Sequence, residues 1–322
     1  MVGAVGVDKS HLMKLVIQIP CLNEAETLGI TLRGIPKHIP GINVIETVVI
    51  DDGSTDGTSN VARELGVPHI IRFSKNHGLA SAFRAGIQYC LEAGADIIVN
   101  LDGDNQYPAE KIPELIAPLL AGEADIVIGN RNPEHDRRHP MLKRLLYKIG
   151  RVLMNSLCSY PIPDPVSGFR ALSRNAAMNI HISSSFSYTL EMIIQAEHKH
   201  FSITYVPITT NAVARPSRLF RNMPQFLYYS ARTIIETYLL YKPLKFFSIL
   251  GVIFLVIGIL PILRFLLLYM ENGAAGHVQS LVLGSSSVLL AVGLFGAGLV
   301  SHLIAHNRIL LEQLLAKTRH IK

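Results

Sequence analysis

Residues 96–110 read DIIVNLDGDNQYPAE. An apolar run, Ile97 to Leu101, ends in two aspartates, Asp102 and Asp104, with Gly103 between them. A short apolar run bounded by polar residues is the pattern of a strand buried on both faces. Carboxylates at i and i+2 just past its end suit a hard divalent cation, Mg2+ or Mn2+, which keeps its remaining positions for water and substrate phosphates. Gly103 lets the backbone approach a ligand closely. A cation there would neutralise a diphosphate leaving group, so the first function to consider is nucleotide-dependent group transfer.

Four similar runs surround this one: KLVIQIP from Lys14, IETVVIDD from Ile45, PHIIRF from Pro68 and DIVIGNR from Asp125. Helical patterns lie between them, at 24–33, 57–65, 79–93 and 108–120. Alternation of strand and helix predicts an open α/β fold with a mostly parallel sheet. Ligands of such sheets bind beyond the carboxyl ends of the strands. The polar strand ends Asn23–Glu24, Asp51–Asp52, Asp102–Asp104 and Arg131 are therefore expected along one edge.

The chain has 322 residues, 49% of them hydrophobic, and a formal charge of +6. That length allows an ample core. Its mean hydropathy of +0.32 is high for a soluble protein, and most of the apolar excess follows residue 244. With such a tail, the basic balance points to an anionic membrane surface and away from nucleic acid. Residues 246–268 and 281–304 each approach the roughly 20 residues that a bilayer core requires. The loop between them has no Lys or Arg, whereas Lys242, Lys245, Arg308, Lys317, Arg319 and Lys322 flank the pair. The positive-inside rule then places both ends, and a C-terminal tail, in the cytoplasm. Arg264 is expected to snorkel at the outer end of the first span. Residues 218–243, with Arg218, Arg221 and Arg232 set among apolar side chains, predict helices in the membrane interface. Small residues between Ser285 and Gly298 offer a face for close helix packing, and with it a homo-oligomer.

Cys21, Cys90 and Cys158 show no metal-ligand spacing and read as reduced structural residues. The N-terminus lacks a secretory signal pattern, so the soluble part is expected in the cytoplasm. In IPCLNEAE, Asn23 is placed to cap a helix with Glu26 at N3. In VVIDDGSTDGT, Ser54 to Asp56 suit the cap of the next helix. The doubled aspartate exceeds what capping needs and offers a carboxylate to a base N–H or a ribose hydroxyl. No G-x-G-x-x-G follows the first strand, which excludes a nicotinamide-dependent oxidoreductase.

Taken in order, IPCLNEAE, DDGSTD, DGDNQ, GNR and SGFR resemble the inverting family 2 glycosyltransferases of GT-A fold, a Rossmann-like α/β architecture. Within them the chain resembles the polyprenyl-phosphate glycosyltransferases, the group of dolichyl-phosphate mannose synthase. The likeness runs from about Lys14 to Arg218. It implies a catalytic domain over 1–217, interfacial helices over 218–243 and two transmembrane helices within 244–322. It also implies that Pro20, Leu22, Glu24, Ile50 and Asp52 line the nucleobase and ribose pocket, with Asp102 and Gly103 also on the donor. Asp102 and Asp104 would hold Mg2+ or Mn2+, and Gln106 would contact the metal site or the sugar. Arg131 and Arg170 would receive phosphate oxygens, as would Arg215, Ser217 and Arg218, although Arg215-Pro216-Ser217-Arg218 lacks the Gly of the family pattern. Glu191, in FSYTLEM, matches an acidic position of the group. The implied partners are a nucleotide-sugar donor, a polyprenyl-phosphate acceptor and the membrane. A phosphate monoester has a second pKa near 6, so such an acceptor needs no general base. It does need cationic neighbours, and Lys148 and Arg151 in the basic stretch after Asn130 are candidates. Transfer to a glycan hydroxyl on the same fold, or a silent nucleotide-sugar binder at the membrane, are the competing readings.

Overall fold

The computed structural model describes residues 12–132, 161–182, 188–211, 241–272 and 278–319, with single positions between 141 and 158 and between 232 and 239. Contacts divide the chain into two units, Met1–Arg221 and Asn222–Lys322.

The first unit is built on a seven-stranded sheet. In chain order its elements are β1 (Lys14–Cys21), α1 (Ala25–Arg33), β2 (Val44–Asp51), α2 (Thr58–Glu64), β3 (His69–Arg72), α3 (Leu79–Glu92), β4 (Ile97–Asn100), α4 (Ile112–Leu120), β5 (Ile126–Asn130), β6 (Arg170–Ser173), α5 (Arg174–Asn179), α6 (Tyr188–His198) and β7 (Ile203–Pro207). The strand order is β3-β2-β1-β4-β6-β5-β7. From Leu15 onward β1 is buried throughout, which requires cover on both faces. The period of two sends Leu15, Ile17, Ile19 and Cys21 into a core shared with Leu28 of α1 and Ile112, Leu115 and Ile116 of α4. Gln18 and Ile50 face α3 instead. A Cβ on Gly86 of α3 would lie 2.1 Å from Gln18 Oε1 and 2.9 Å from Ile50 Cδ1. The helix therefore packs at a separation that only glycine permits.

Strands β1, β2 and β4 run parallel, so Cys21, Asp51 and Asn100 end on one edge. Strand β6 runs antiparallel between β4 and β5, with Arg170 opposite both Asn100 and Ile128. The edge thus gains the segment that leads into β6. The sequence pattern missed β6 and β7, because neither carries a long apolar run. The expected helix at 108–120 opens as a 3-10 turn, Ala109–Lys111, before α4.

Capping differs from expectation. Asn23 takes a left-handed conformation, φ 56°, and Glu24 occupies the N-cap of α1 without a side-chain cap. Chain entry into α1 is held from the neighbouring loop. Asn23 N donates to Ser54 Oγ, Glu24 N to Thr58 Oγ1 and Ala25 N to Asp56 Oδ2. The Ser-Thr-Asp cluster therefore serves both helices: Asp56 Oδ1 accepts from Thr58 N at the first residue of α2, whose N-cap is Gly57 at φ 86°.

The second unit is a pair of long helices, α7 (Pro243–Asn272) and α8 (Val278–Arg319). They pack antiparallel through glycines: Gly298 meets Phe247, Gly251 meets Phe295, and Gly258 meets Gly284. Close backbone approach of this kind is how apolar helices associate without a hydrophobic driving force. Pro243–Met270 and Val278–Asn307 are long and apolar enough to cross a membrane, and only 11% of each apolar window is buried. A core helix of a soluble protein would hide most of that surface. Past its apolar part, α8 continues as helix to Arg319. In the stretch read as interfacial, residues 218–231 lie outside the described residues. Further on, Arg232 pairs with Glu236 at 2.7 Å.

Overpacking a well-filled core costs about 1–3 kcal/mol. Gly86→Ala is expected to fall in that range, read as a lower denaturation midpoint of the first unit. An unchanged midpoint would show that α3 can shift outward at no cost.

Candidate active site

Asp102 and Asp104 follow β4 at the carboxyl edge, both partly exposed. Asp104 Oδ1 accepts from Gln106 N at 2.9 Å, and Asn105 takes φ 57°, so the turn folds back on itself. Burial pushes the Asp102 carboxyl up to about 7. The Asp104 charge adds to this and Glu24 adds less, while Arg131 and Arg170 pull the other way. Two carboxylates crowded this way fit a divalent cation, which would relieve both effects at once. Among the described residues no three of His, Cys, Asp and Glu are grouped to hold a metal. Substrate phosphates and water would therefore have to complete its ligand set, as is usual for Mg2+.

The walls are close-fitting. A Cβ on Gly168, in SGFR, would lie 2.6 Å from Asp102 Oδ2, and one on Gly103 would lie 2.6 Å from Cys21 Sγ and 3.5 Å from Glu24 Cγ. Thr27 Oγ1 lies within bonding distance of Glu24 Oε2 (3.0 Å) and Gly103 O (2.9 Å), tying α1 to the acidic turn. Cys21 sits beneath; burial, then Glu24, Asp51, Asp102 and Asp104, keep its thiol well above the usual range. It is therefore a neutral packing group, and all three cysteines are buried thiols.

Of the residues expected at the site, Glu24, Asp102, Gly103 and Asp104 come together. Gln106 stays beside them, partly exposed, with its carbonyl accepting from Asn211 N. Leu22 is half-buried at the strand end, and Pro20 is buried in β1. Other residues fall elsewhere. Ile50 is wholly buried with its side chain against α3, not in a base pocket. Asp52 is only 3% exposed. Its two oxygens accept from His77 N (2.7 Å) and Gly78 N (2.9 Å) at the start of α3. It anchors that loop and turns no free face to a ribose. Gly53 (φ 77°) explains the tightness, since a Cβ there would strike the Lys75 backbone at 2.5 Å.

Arg170 is the largest correction. Its side chain is fully buried. Nε donates to Ser167 O, Nη1 to Thr189 O and Nη2 to Pro165 O, at 2.8–2.9 Å. A guanidinium committed to three carbonyls holds the loop before β6 and does not reach out to phosphate. Arg131 arrives as half of an ion pair: Nε and Nη2 engage Asp164 at 2.7 and 2.9 Å, and the Arg131 side chain is 14% exposed. Asp164 and Gly168 were missed because their partners lie far away in sequence. Lys148 is exposed and helical, and Arg151 is helical and half-buried. Glu191 is buried in α6, where Oε1 accepts from Gln195 Nε2 at 3.2 Å. Arg215, Ser217 and Arg218 lie outside the described residues.

The sequence pattern described as "Glycosyl transferase family 2" matches residues 16–180, just over half of the chain. The chain belongs to this family. Among curated relatives of this family 2 chain, a dolichol-phosphate mannosyltransferase of Pyrococcus furiosus is 33% identical over 226 residues. The match covers 67% of this chain and 62% of that protein. A polyprenol monophosphomannose synthase of Mycolicibacterium smegmatis is 28% identical over 61% of this chain and 77% of its own. Glucosyl-3-phosphoglycerate synthase from Mycobacterium tuberculosis, solved with Mn2+, UDP and phosphoglyceric acid, superposes with a TM-score of 0.54. It shares 23% identity over 70% of this chain and 78% of that one, and so shares the fold. The family 2 domain is thus the GT-A-like sheet expected from the sequence, and two apolar helices follow it.

Two outcomes are expected of this geometry. A carboxyl whose folded pKa of about 7 exceeds its unfolded value of about 4 makes the native state bind more protons between those values. Asp102 therefore lowers the stability of metal-free protein as pH rises from 4 to 7, with the full penalty above 7. Denaturation midpoints of wild type minus Asp102→Asn should fall across that window, and a flat difference would refute the shift. Each buried acceptor left unpaired costs about 1–3 kcal/mol. Arg170→Met, which strands three carbonyls, should thus destabilise the fold equally with and without nucleotide sugar.

Proposed function

We propose that this chain transfers a sugar, with inversion, from a nucleotide-sugar donor to a polyprenyl phosphate at the cytoplasmic face of a membrane. The observation that carries the transfer is the crowded pair Asp102–Asp104 at the carboxyl edge of a family 2 domain. Support for the acceptor is the joining of that domain to two apolar, outward-facing helices. The relatives named for dolichol-phosphate and polyprenol substrates add to it. A long isoprenoid stays in the bilayer, so an enzyme that uses it must work at the surface. The lack of Lys and Arg between the two helices, against basic flanks, supports the cytoplasmic side.

The chemistry asked of the protein is modest. Asp102 and Asp104 would hold a divalent cation, whose contribution when bound is to offset the charge of a departing diphosphate. Glu24, tied to Thr27 beside Gly103, lines the donor side of the same turn. The acceptor phosphate is already largely dianionic at neutral pH, with a second pKa near 6. No side chain need take a proton from it. The Arg131–Asp164 pair brings one guanidinium to the edge in a fixed orientation.

Full-length protein in detergent or nanodiscs, given nucleotide sugars with Mg2+ or Mn2+, should glycosylate a polyprenyl phosphate. Asp104→Asn should lower that rate by about 10²-fold, the scale set by losing one electrostatic contact to developing charge. Full activity of Asp104→Asn with metal chelated would sink the proposal. Transfer to sugar hydroxyls alone would replace the acceptor.

A further inference from the structure

Beneath the acidic turn lies a buried polar chain that the proposed reaction does not use. Gln18 Nε2, on β1, donates to Asn100 Oδ1 at 2.9 Å, and both side chains have no exposure. Asn100 Nδ2, on β4, donates to Gly168 O at 2.8 Å and reaches Tyr188 Oη at 3.0 Å. Tyr188 Oη in turn donates to Gly168 O at 3.4 Å. On the other side of the same residue, Gly168 N donates to Tyr107 Oη at 2.9 Å. One glycine is therefore held at both its N–H and its C=O by three side chains from β4, α6 and the loop after Asp104.

Burying so many polar atoms in a sheet core carries a cost that an apolar core avoids. The cost here is visible, because Gln18 Oε1 has no hydrogen-bond partner. Close approach tells what the arrangement holds. A Cβ on Gly168 would lie 2.6 Å from Asp102 Oδ2 and 3.0 Å from Oδ1. The glycine backbone is thus the wall against which the Asp102 carboxylate rests. The rings fix the hydroxyls in turn: Tyr188 stacks on Phe83 at 4.0 Å with 10° between planes, and Tyr107 stacks on Phe169 at 5.5 Å. All four aromatic residues are at most 2% exposed.

We propose that Asn100, Tyr107 and Tyr188 are positioning residues that clamp Gly168 and thereby set the Asp102 carboxylate for a divalent cation. They touch neither cation nor substrate; they act through one peptide unit. The inference rests on the metal reading of Asp102 and Asp104 given above. It goes beyond that reading by assigning the orientation of the ligand to three residues outside the acidic motif.

The test uses full-length protein in detergent, titrated with Mn2+ alone and followed by the loss of the free-ion electron paramagnetic resonance signal. Tyr188→Phe and Tyr107→Phe each remove one hydroxyl and keep the stacked ring, so the fold should survive, as thermal denaturation would verify. Partners that orient a metal ligand typically cost 10–100-fold in affinity when lost. Each single variant should weaken Mn2+ by about 10-fold, and the double variant by more. In the transfer assay the apparent KM for Mn2+ should rise, while kcat at saturating Mn2+ stays near that of the parent. Asn100→Asp, which keeps the shape but loses the Nδ2 donor, should behave like Tyr188→Phe. Parental Mn2+ affinity in the double variant, in protein whose wild type binds Mn2+ and whose Asp102→Asn does not, would overturn the clamp and leave the metal site standing. Wild type that binds Mn2+ neither alone nor in the presence of UDP or GDP would overturn the metal reading and the clamp with it.

Discussion

A carboxylate partly withdrawn from water beside a second acidic side chain resists ionisation. Asp102 is in that position: burial first, and then the Asp104 charge, push its carboxyl up to about 7. Gly168 stands against the Asp102 carboxylate on one side, and the Gly103–Glu24–Thr27 cluster holds the turn on the other. The crevice is shaped to keep two acids together, and a divalent cation is the partner that turns this arrangement from unfavourable to favourable.

That constraint explains where the cationic side chains went. Arg170 is buried beneath the loop that contains Gly168; two of its carbonyl partners fix the backbone from Pro165 to Ser167, and the third, Thr189 O, ties that loop to α6. Arg131 is tied to Asp164 in the same loop. Both guanidiniums lower the Asp102 pKa at a distance, yet each is fastened by its own bonds. Positive charge thus supports the acidic turn from behind, through the loop, and does not collapse onto it. A freely mobile Arg beside Asp102 would form an ordinary ion pair and compete with a cation.

Much of this was legible in the sequence, and the limits have a physical cause. Strands with long apolar runs, such as LVIQIP and IIVNL, announced themselves, and parallel pairing then placed their polar ends on one edge. The acidic turn was readable because its partners lie within three residues. What a sequence does not record is the partner that a side chain meets far along the chain. Asp52 looked like a ligand residue, but His77 and Gly78, far along the chain, claim both its oxygens. Ile50 sits at the right strand end, but the period of two turns it to α3. Asn23 had the chemistry of a cap, while Ser54, Asp56 and Thr58 supplied it from another loop. The resemblance implied a phosphate contact for Arg170, because a motif records its charge and not its burial.

The disposition of charge also bears on what the site can accept. With Arg170 internal and Arg131 paired, the described part of the crevice offers little free positive charge of its own. A nucleoside diphosphate and a lipid phosphate together bring several negative charges. A cation at Asp102 and Asp104 offsets part of that load, and the remainder has to come from basic residues outside the acidic turn. In this chain those residues are Lys148 and Arg151 and the Arg-rich stretch from 215 to 221 that precedes the apolar helices. Basic side chains beside a bilayer also gain from anionic lipid. The same residues would then serve membrane and acceptor together, which ties the reactive phosphate to the one surface where its isoprenoid chain can remain.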